Sequence, residues 1–342
     1  MFDSRIFASL PLLEVLAKNI YWRTPEQFMK VATRLRRHFS LAREQSADPI
    51  DFPAILDALR RAGVKPGGIL VLHTSMDLFV RLGKQGIKAS DMLAGFRALL
   101  GSDGTLAVPA FPLIKGDPTG RERMNDAHVS RLRLTYDVRR SPSWTSALPR
   151  EMQRLAGARR SRHPLNPLAA IGPHADAMMA GDLQGDAPSP CGPSSPWMFC
   201  YQHDAQIVAL DVDFTHSLTM IHLAEDGFPD EWPVQNWYRF RSYRVVDGDW
   251  TSDITVRERR PYWSNFFTEH RLKRDLIRDG IAREHAIGGT FFTVCKSRAL
   301  VDYLRSRNHL GWPYLIPFAR WRGYPQRALS PNSSASDTAS AR

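Results

Sequence analysis

Residues 68–75, GILVLHTS, and residues 103–109, DGTLAVP, frame the part of the chain that decides its fold. The first reads as a strand over 68–72 followed by a polar turn, His73-Thr74-Ser75. The second reads as an Asp-Gly turn into a strand over 105–108, closed by Pro109. Between them Ser90 can cap a helix in which Met92, Leu93, Phe96, Leu99 and Leu100 recur at the 3.6-residue period, with Gly101 as its stop. Strand, helix and strand at this spacing are the parts of a parallel βαβ unit.

Working toward the N-terminus, residues 53–61 read as a helix with Ile55, Leu56 and Leu59 inward, ended by Gly63. Residues 1–50 look like a helical extension. There Ile6, Leu10, Leu13 and Leu16 precede a basic segment whose Phe28, Val31 and Leu35 fall opposite Lys30, Arg34, Arg36 and Arg37. This extension fits a helical pair packed on the main domain; a sharper reading is peripheral contact with an anionic membrane surface.

Toward the C-terminus the polar stretch 112–134 is long enough to suggest a functional loop or lid. Helices are expected over 144–156, where Pro149 can kink the chain, over 174–180, 265–278 and 297–305, and within 215–225. Strands are expected over 206–212 and 290–295, and a hairpin over 243–246 and 251–256 turning at Asp247-Gly248. The Pro/Gly/Ser-rich run 181–196 reads as loop, and the Ser/Ala-rich tail, 325–342, as disordered. The resulting fold class is mixed α/β, with a mainly parallel central sheet flanked by helices and an additional β-hairpin region. The domains are a 1–50 helical extension, a 51–310 main domain and the tail.

A chain of 342 residues, 43% hydrophobic and 24% charged, can bury a substantial core. Its net charge of +11 favours an acidic partner: nucleic acid, an anionic membrane or a phosphate-bearing small molecule. No basic-aromatic module is evident, so nucleic acid is the weakest of these. Three cysteines, an odd number without metal or redox spacing, point to reduced thiols and a cytoplasmic protein, although Cys191 and Cys200 could pair. No apolar run approaches the roughly 18 residues of a membrane span, and the N-terminus does not read as a signal peptide.

The chemistry-bearing residues cluster in a few places. Thr74 and Ser75 follow a strand, where α/β sheets bind ligands. Residues 141–145 precede an expected helix whose N–H groups, with the hydroxyls of Ser143 and Thr145, could hold an anion. Nine arginines lie between Arg131 and Arg162, a solvated basic face or a phosphate grip. His163 stands before Pro164, and Pro167 follows closely, which restricts the backbone carrying the imidazole. Thr219, His222 and Glu225 can share a helix face. Zinc is disfavoured because the second histidine of H-E-x-x-H is missing, and no metal is expected.

These pieces, in order, are ILVLHTS, GSDGTLAVPAF, DVRRSPSWTSALP, RSRHPLNPLAAIGP, DAPSPCGPSSP and TMIHLAED. Over roughly residues 52–305 the chain resembles the aminoglycoside 3-N-acetyltransferase family, whose fold is not that of the GNAT acetyltransferases. The resemblance implies an acetyl transfer from acetyl-coenzyme A to an amine of an amino sugar. It implies His163 as the base and Glu225 as the site's carboxylate, with Thr74, Ser75, Ser143 and Thr145 on the coenzyme side. His222, Asp186 and Asp213 are expected on the acceptor side. The chain departs from the family pattern at Asp211, where a glycine is usual, and at Ser146. A member that binds coenzyme A without catalysis is the alternative within the family, and a nucleic-acid-binding protein the alternative outside it.

Overall fold

The first apolar run becomes a strand longer than expected. β1 (Ile69–Thr74) carries the chain past His73 and Thr74, so both belong to the strand and the turn begins at Ser75. The computed structural model describes residues 4–23, 49–308 and 314–315. β1 lies at the centre of a seven-stranded sheet with β2 (Thr105–Pro109), β4 (Arg159–Arg160), β5 (Leu168–Ile171), β6 (Gln206–Leu210), β9 (Ala282–Ile287) and β10 (Thr290–Lys296). Their order is β4-β5-β2-β1-β6-β10-β9. β2, β1 and β6 run parallel, whereas β5, β4, β10 and β9 are added antiparallel on the two sides. The sheet is therefore mixed, with its parallel part confined to the middle three strands.

The period-2 rule sorts the side chains onto two faces. Ile69, Val71, Ala107, Ile207 and Ala209 enter one apolar core with Trp197, Phe214 and Leu300. Leu70, Leu72, Leu106, Val108, Val208 and Leu210 enter another with Ile55, Leu59, Phe96 and Leu99. Each fully buried Leu, Ile or Val contributes about 1.5–3 kcal/mol relative to exposure. Burial on both faces explains why these strands read as unbroken apolar runs. Helices Phe52–Arg61 and Ala89–Leu100 fall where expected, and a further helix, Met76–Lys84, directly follows β1.

A second sheet, ordered β3-β7-β8, is made of β3 (Arg133–Asp137), β7 (Tyr238–Asp247) and β8 (Trp250–Arg259). The expected hairpin is present but longer, turning through Gly248 at φ 64°. β3 joins β7 in parallel and gives this sheet its own small core of Leu134, Tyr136, Tyr243, Val245 and Val256. The stretch 112–134 is thus not a free lid. Arg239 and Arg241, both buried, reach from β7 to Asp126 and Asp117 and hold it down.

Helices Ser4–Ser9 and Pro11–Arg23 form the described part of the extension. Buried Glu14 accepts the N–H groups of Glu269 and His270 at 3.0 and 3.3 Å, and so caps helix Glu269–Arg278. Thr268, at the position where a side chain usually does this, makes no such bond. Lys18 donates to the Phe267 carbonyl at 2.7 Å and pairs with Glu14 and Glu269. The expected basic helix near residues 24–37 and the tail lie outside the described residues. Among the described residues, no helix is long and apolar enough to cross a membrane.

Candidate active site

The carboxyl ends of β1, β2 and β6 are the edge at which an open α/β sheet binds its ligands. β5 runs antiparallel to β2, with Leu168 opposite Pro109, so the segment entering β5 arrives at that same edge. That segment is the His163 turn, and Ala110 donates to the Pro167 carbonyl at 2.8 Å across it.

Arg160 fixes the base of the turn. Its buried guanidinium donates to the carbonyls of Val138, Ser141 and Ala110 and lies 5.3 Å from the Tyr136 ring centroid. It therefore joins the segments after β2 and β3. The hydroxyl of Tyr136 donates to the Ser161 carbonyl at 2.9 Å.

His163 itself is only 2% exposed. Its Nδ1 lies 2.9 Å from the Leu165 carbonyl and 3.1 Å from the Leu165 N–H, and its Nε2 lies 3.2 Å from the Pro188 carbonyl. Leu165 thus offers both an acceptor and a donor to Nδ1, and can support either neutral tautomer. Burial holds the pKa down to about 4, against smaller raising effects of the two carbonyls, so the ring is neutral at pH 7.

Glu225 is 1% exposed and lies on another element, helix Leu223–Asp226. The stretch 215–225 is not one continuous helix: Phe214–Ser217 ends at Leu218, and a 3₁₀ turn, Thr219–His222, leads into Leu223–Asp226. His222 and Glu225 nevertheless meet. Nδ1 of His222 lies 3.0 Å from Glu225 Oε2, and Arg259 Nη1 lies 2.6 Å from Nε2. The same Nη1 also lies against Nδ1, so the guanidinium meets both ring nitrogens while the carboxylate meets Nδ1 alone. Burial and the Arg259 charge both lower the pKa of His222. Among the described residues, the side-chain hydrogen bonds of Glu225 go to this group and those of the His163 ring to backbone, with none between the two.

Asp226, beside Glu225, accepts from the Tyr238 hydroxyl at 2.7 Å and from the Cys191 N–H at 3.1 Å. Burial pushes its pKa up to about 6. Asn166, at φ 50°, reaches toward the Cys191 sulfur, and its carbonyl accepts from Trp197 Nε1 at 2.9 Å. These contacts tie the His163 turn to the loop before helix Pro196–Gln202 and to the Glu225 helix.

The other expected site residues divide sharply. Thr74 is buried at the end of β1 with a hydroxyl that has no hydrogen-bond partner among the described residues. Such a group calls for a ligand or a water. Ser75 is already engaged: it caps helix Met76–Lys84 through Leu78 and donates to Asp211 at 2.6 Å. Ser143 and Thr145 bond each other at 2.8 Å, and Thr145 donates to the Pro109 carbonyl. They do not open a helix, because residues 142–144 pair with 111–113 and the helix is only Leu148–Met152. Asp213 caps helix Phe214–Ser217 through Thr215 and pairs with Lys273 at 3.3 Å. Asp186 is exposed in its loop.

Asp211 explains its own departure from glycine. It adopts φ 56°, and its carboxylate takes Ser75, Thr290 (2.9 Å) and Arg81 together, so side-chain bonds offset the backbone cost. Of the nine arginines, Arg139 and Arg162 pair with Asp247, Arg154 with Glu151 and Arg159 with Asp176, while Arg160 is buried. All three cysteines are buried and free.

The buried histidines set a pH dependence. His73, stacked on Trp197, is held to about 3 by burial, and His163 to about 4. Unfolded histidine titrates near 6.5, so between that value and about 4 the unfolded chain binds more protons and stability falls as pH drops. Each histidine removes about 2 kcal/mol at pH 5 relative to pH 7. Asp226, with its raised pKa, acts in the opposite direction but more weakly. We expect the urea midpoint to fall from pH 7 to pH 5, and His73→Phe to recover about 2 kcal/mol of that loss. A slope unchanged by the substitution would mean that His73 is not held neutral.

Comparison with known proteins identifies the family. The profile of the family described as aminoglycoside 3-N-acetyltransferase matches residues 71–307. Aminoglycoside N(3)-acetyltransferase IX of Micromonospora chalcea is 24% identical over 266 residues, covering 71% of this chain and 88% of the relative. Among solved structures, AAC-IIIb in binary complex with CoASH is 18% identical with a TM-score of 0.59, covering 78% of this chain and 99% of that one. A histidine-to-alanine variant of aminoglycoside acetyltransferase AAC(3)-IVa in complex with apramycin is 24% identical with a TM-score of 0.54, covering 77% of this chain and 93% of that one. The chain belongs to the aminoglycoside 3-N-acetyltransferase family.

Proposed function

We propose that His163 is the base with which this chain acetylates an aminoglycoside-type amino sugar. As a member of its family the chain is an N-acetyltransferase whose donor is acetyl-coenzyme A. The observation that carries the reading is a buried, neutral imidazole, oriented through Nδ1 by Leu165, at the carboxyl edge of the parallel strands.

When bound, the coenzyme supplies an activated thioester. With Nδ1–H donating to the Leu165 carbonyl, Nε2 is left as the basic atom. It takes a proton from the attacking amine as the N–C bond forms, and returns it to the departing sulfur as the C–S bond breaks. The Pro188 carbonyl, now 3.2 Å from Nε2, occupies the place the amine must reach, so the loop bearing it yields on binding. Thr74, with its unused hydroxyl, fits a coenzyme amide or the thioester oxygen; the hydroxyls of Ser75 and Thr145 are already engaged. The apramycin complex of a structural neighbour supports a polycationic amino sugar as the acceptor class. A cytoplasmic setting, where acetyl-coenzyme A is made, agrees with three free cysteines.

The test is thiol release from acetyl-coenzyme A with a panel of aminoglycosides and simple amino sugars, with the site of acetylation read by mass spectrometry. We expect release with at least one aminoglycoside and acetylation at its 3-amine. Stabilisation by coenzyme A without release for any amine would instead mark a binder that does no chemistry.

A further inference from the structure

We propose that Asp182, rather than Glu225, is the carboxylate that positions His163 for proton transfer. The inference rests on His163 being the base. Asp182 lies in the loop after helix Ala175–Met179 and is only 5% exposed. Its Oδ2 accepts the Arg162 N–H at 2.6 Å, immediately before the histidine. The Ser161 hydroxyl and the His163 N–H also favour its ionised form, against a burial effect that raises its pKa overall. Ser161 Oγ in turn accepts the His163 N–H at 3.1 Å. The carboxylate therefore sits on the inner side of the turn and gathers its backbone N–H groups.

This matters because, among the described residues, the ring nitrogens meet only backbone groups, the carbonyl and N–H of Leu165 and the carbonyl of Pro188. A ring held that way is placed only as well as the backbone that carries it. A displacement of about 1 Å at a reacting group can cost about a hundredfold in rate. Glu225 cannot do this job in the arrangement seen, since His222 and Arg259 take it. The side chain of Arg162 leaves in the other direction, to Asp247 and the face of Trp250, so Asp182 acts on the main chain. Asp182 is a positioning residue in this scheme and touches no substrate.

The experiment uses the full chain with Asp182→Ala and Asp182→Asn. Asp182→Ala is expected to lower kcat about 10- to 100-fold with KM for acetyl-coenzyme A within about twofold. Asp182→Asn keeps an acceptor oxygen and is expected within about fivefold of wild-type kcat. Amide exchange should quicken at least about tenfold at Arg162 in Asp182→Ala but not at Ala169 in β5. Wild-type kcat in Asp182→Ala overturns the proposal, as does equal quickening at both amides without rescue by asparagine. Should the alanine variant not fold, asparagine carries the test: near-wild-type kcat and Arg162 exchange support positioning, and a loss above about a hundredfold with unchanged exchange refutes it. If His163→Ala turned over normally, the base assignment would fail by itself, and the exchange result would still report whether Asp182 holds the turn.

Discussion

His163→Ala is expected to lower kcat/KM for amine acetylation by about 10²–10⁴-fold while leaving coenzyme A binding within a few-fold. An amino-sugar nitrogen with a pKa above neutrality is mostly protonated, and its attack must be coupled to proton loss. With the imidazole held near 4 by burial, the base is already neutral throughout the neutral range. The rise of wild-type rate with pH should therefore follow ionisation of the acceptor amine and differ between acceptors. Isothermal titration with coenzyme A and initial rates across pH 6–9 check both halves. Turnover equal to wild type in the variant would remove His163 from the mechanism.

Glu258→Gln should have the largest effect on stability, lowering the unfolding free energy by about 3–5 kcal/mol. Glu258 is 4% exposed between Arg239 at 1% and Arg241 at 3%. It bonds Arg239 Nε at 2.6 Å and pairs with Arg241 at 3.3 Å and Arg123 at 3.1 Å. These three charges hold its pKa low in spite of burial. The amide would leave guanidinium groups facing one another with only the partly exposed Asp126 and Asp117 as counter-charges. Urea unfolding followed by circular dichroism measures the difference, and a value under about 1 kcal/mol would class the cluster with ordinary surface pairs.

Much of the central sheet was legible because burial on both faces leaves unmistakable apolar runs at 69–72, 105–108 and 206–210. β3 and β9 were not, since RLTYD and AREHAI keep charged residues on an exposed side and lack a continuous apolar signal. The helix expected over 144–156 shrank because the residues before it found strand partners near Pro112, which no local propensity encodes. Within the candidate site, His163 was readable from the R-S-x-H-P block. The meeting of His222 with Glu225 was readable from their i, i+3 spacing, even though the helix around them is broken. Asp182 and Arg259 carried no local signal: each gains its part only when a distant segment arrives, 20 and 34 positions away in sequence. The same holds for Arg160, whose role depends on three carbonyls from two separate segments.

The Glu14 cap has a bearing on how the chain is made. The carboxylate that completes helix Glu269–Arg278 is translated some 255 residues before the N–H groups it serves. It must wait, solvated, through the synthesis of most of the sheet, and it closes one of the longest-range contacts in the molecule. Contacts of such sequence separation form late, because loop-closure entropy opposes them until the intervening parts have folded. Helices Ser4–Ser9 and Pro11–Arg23, made long before their partner, are thus among the last to dock.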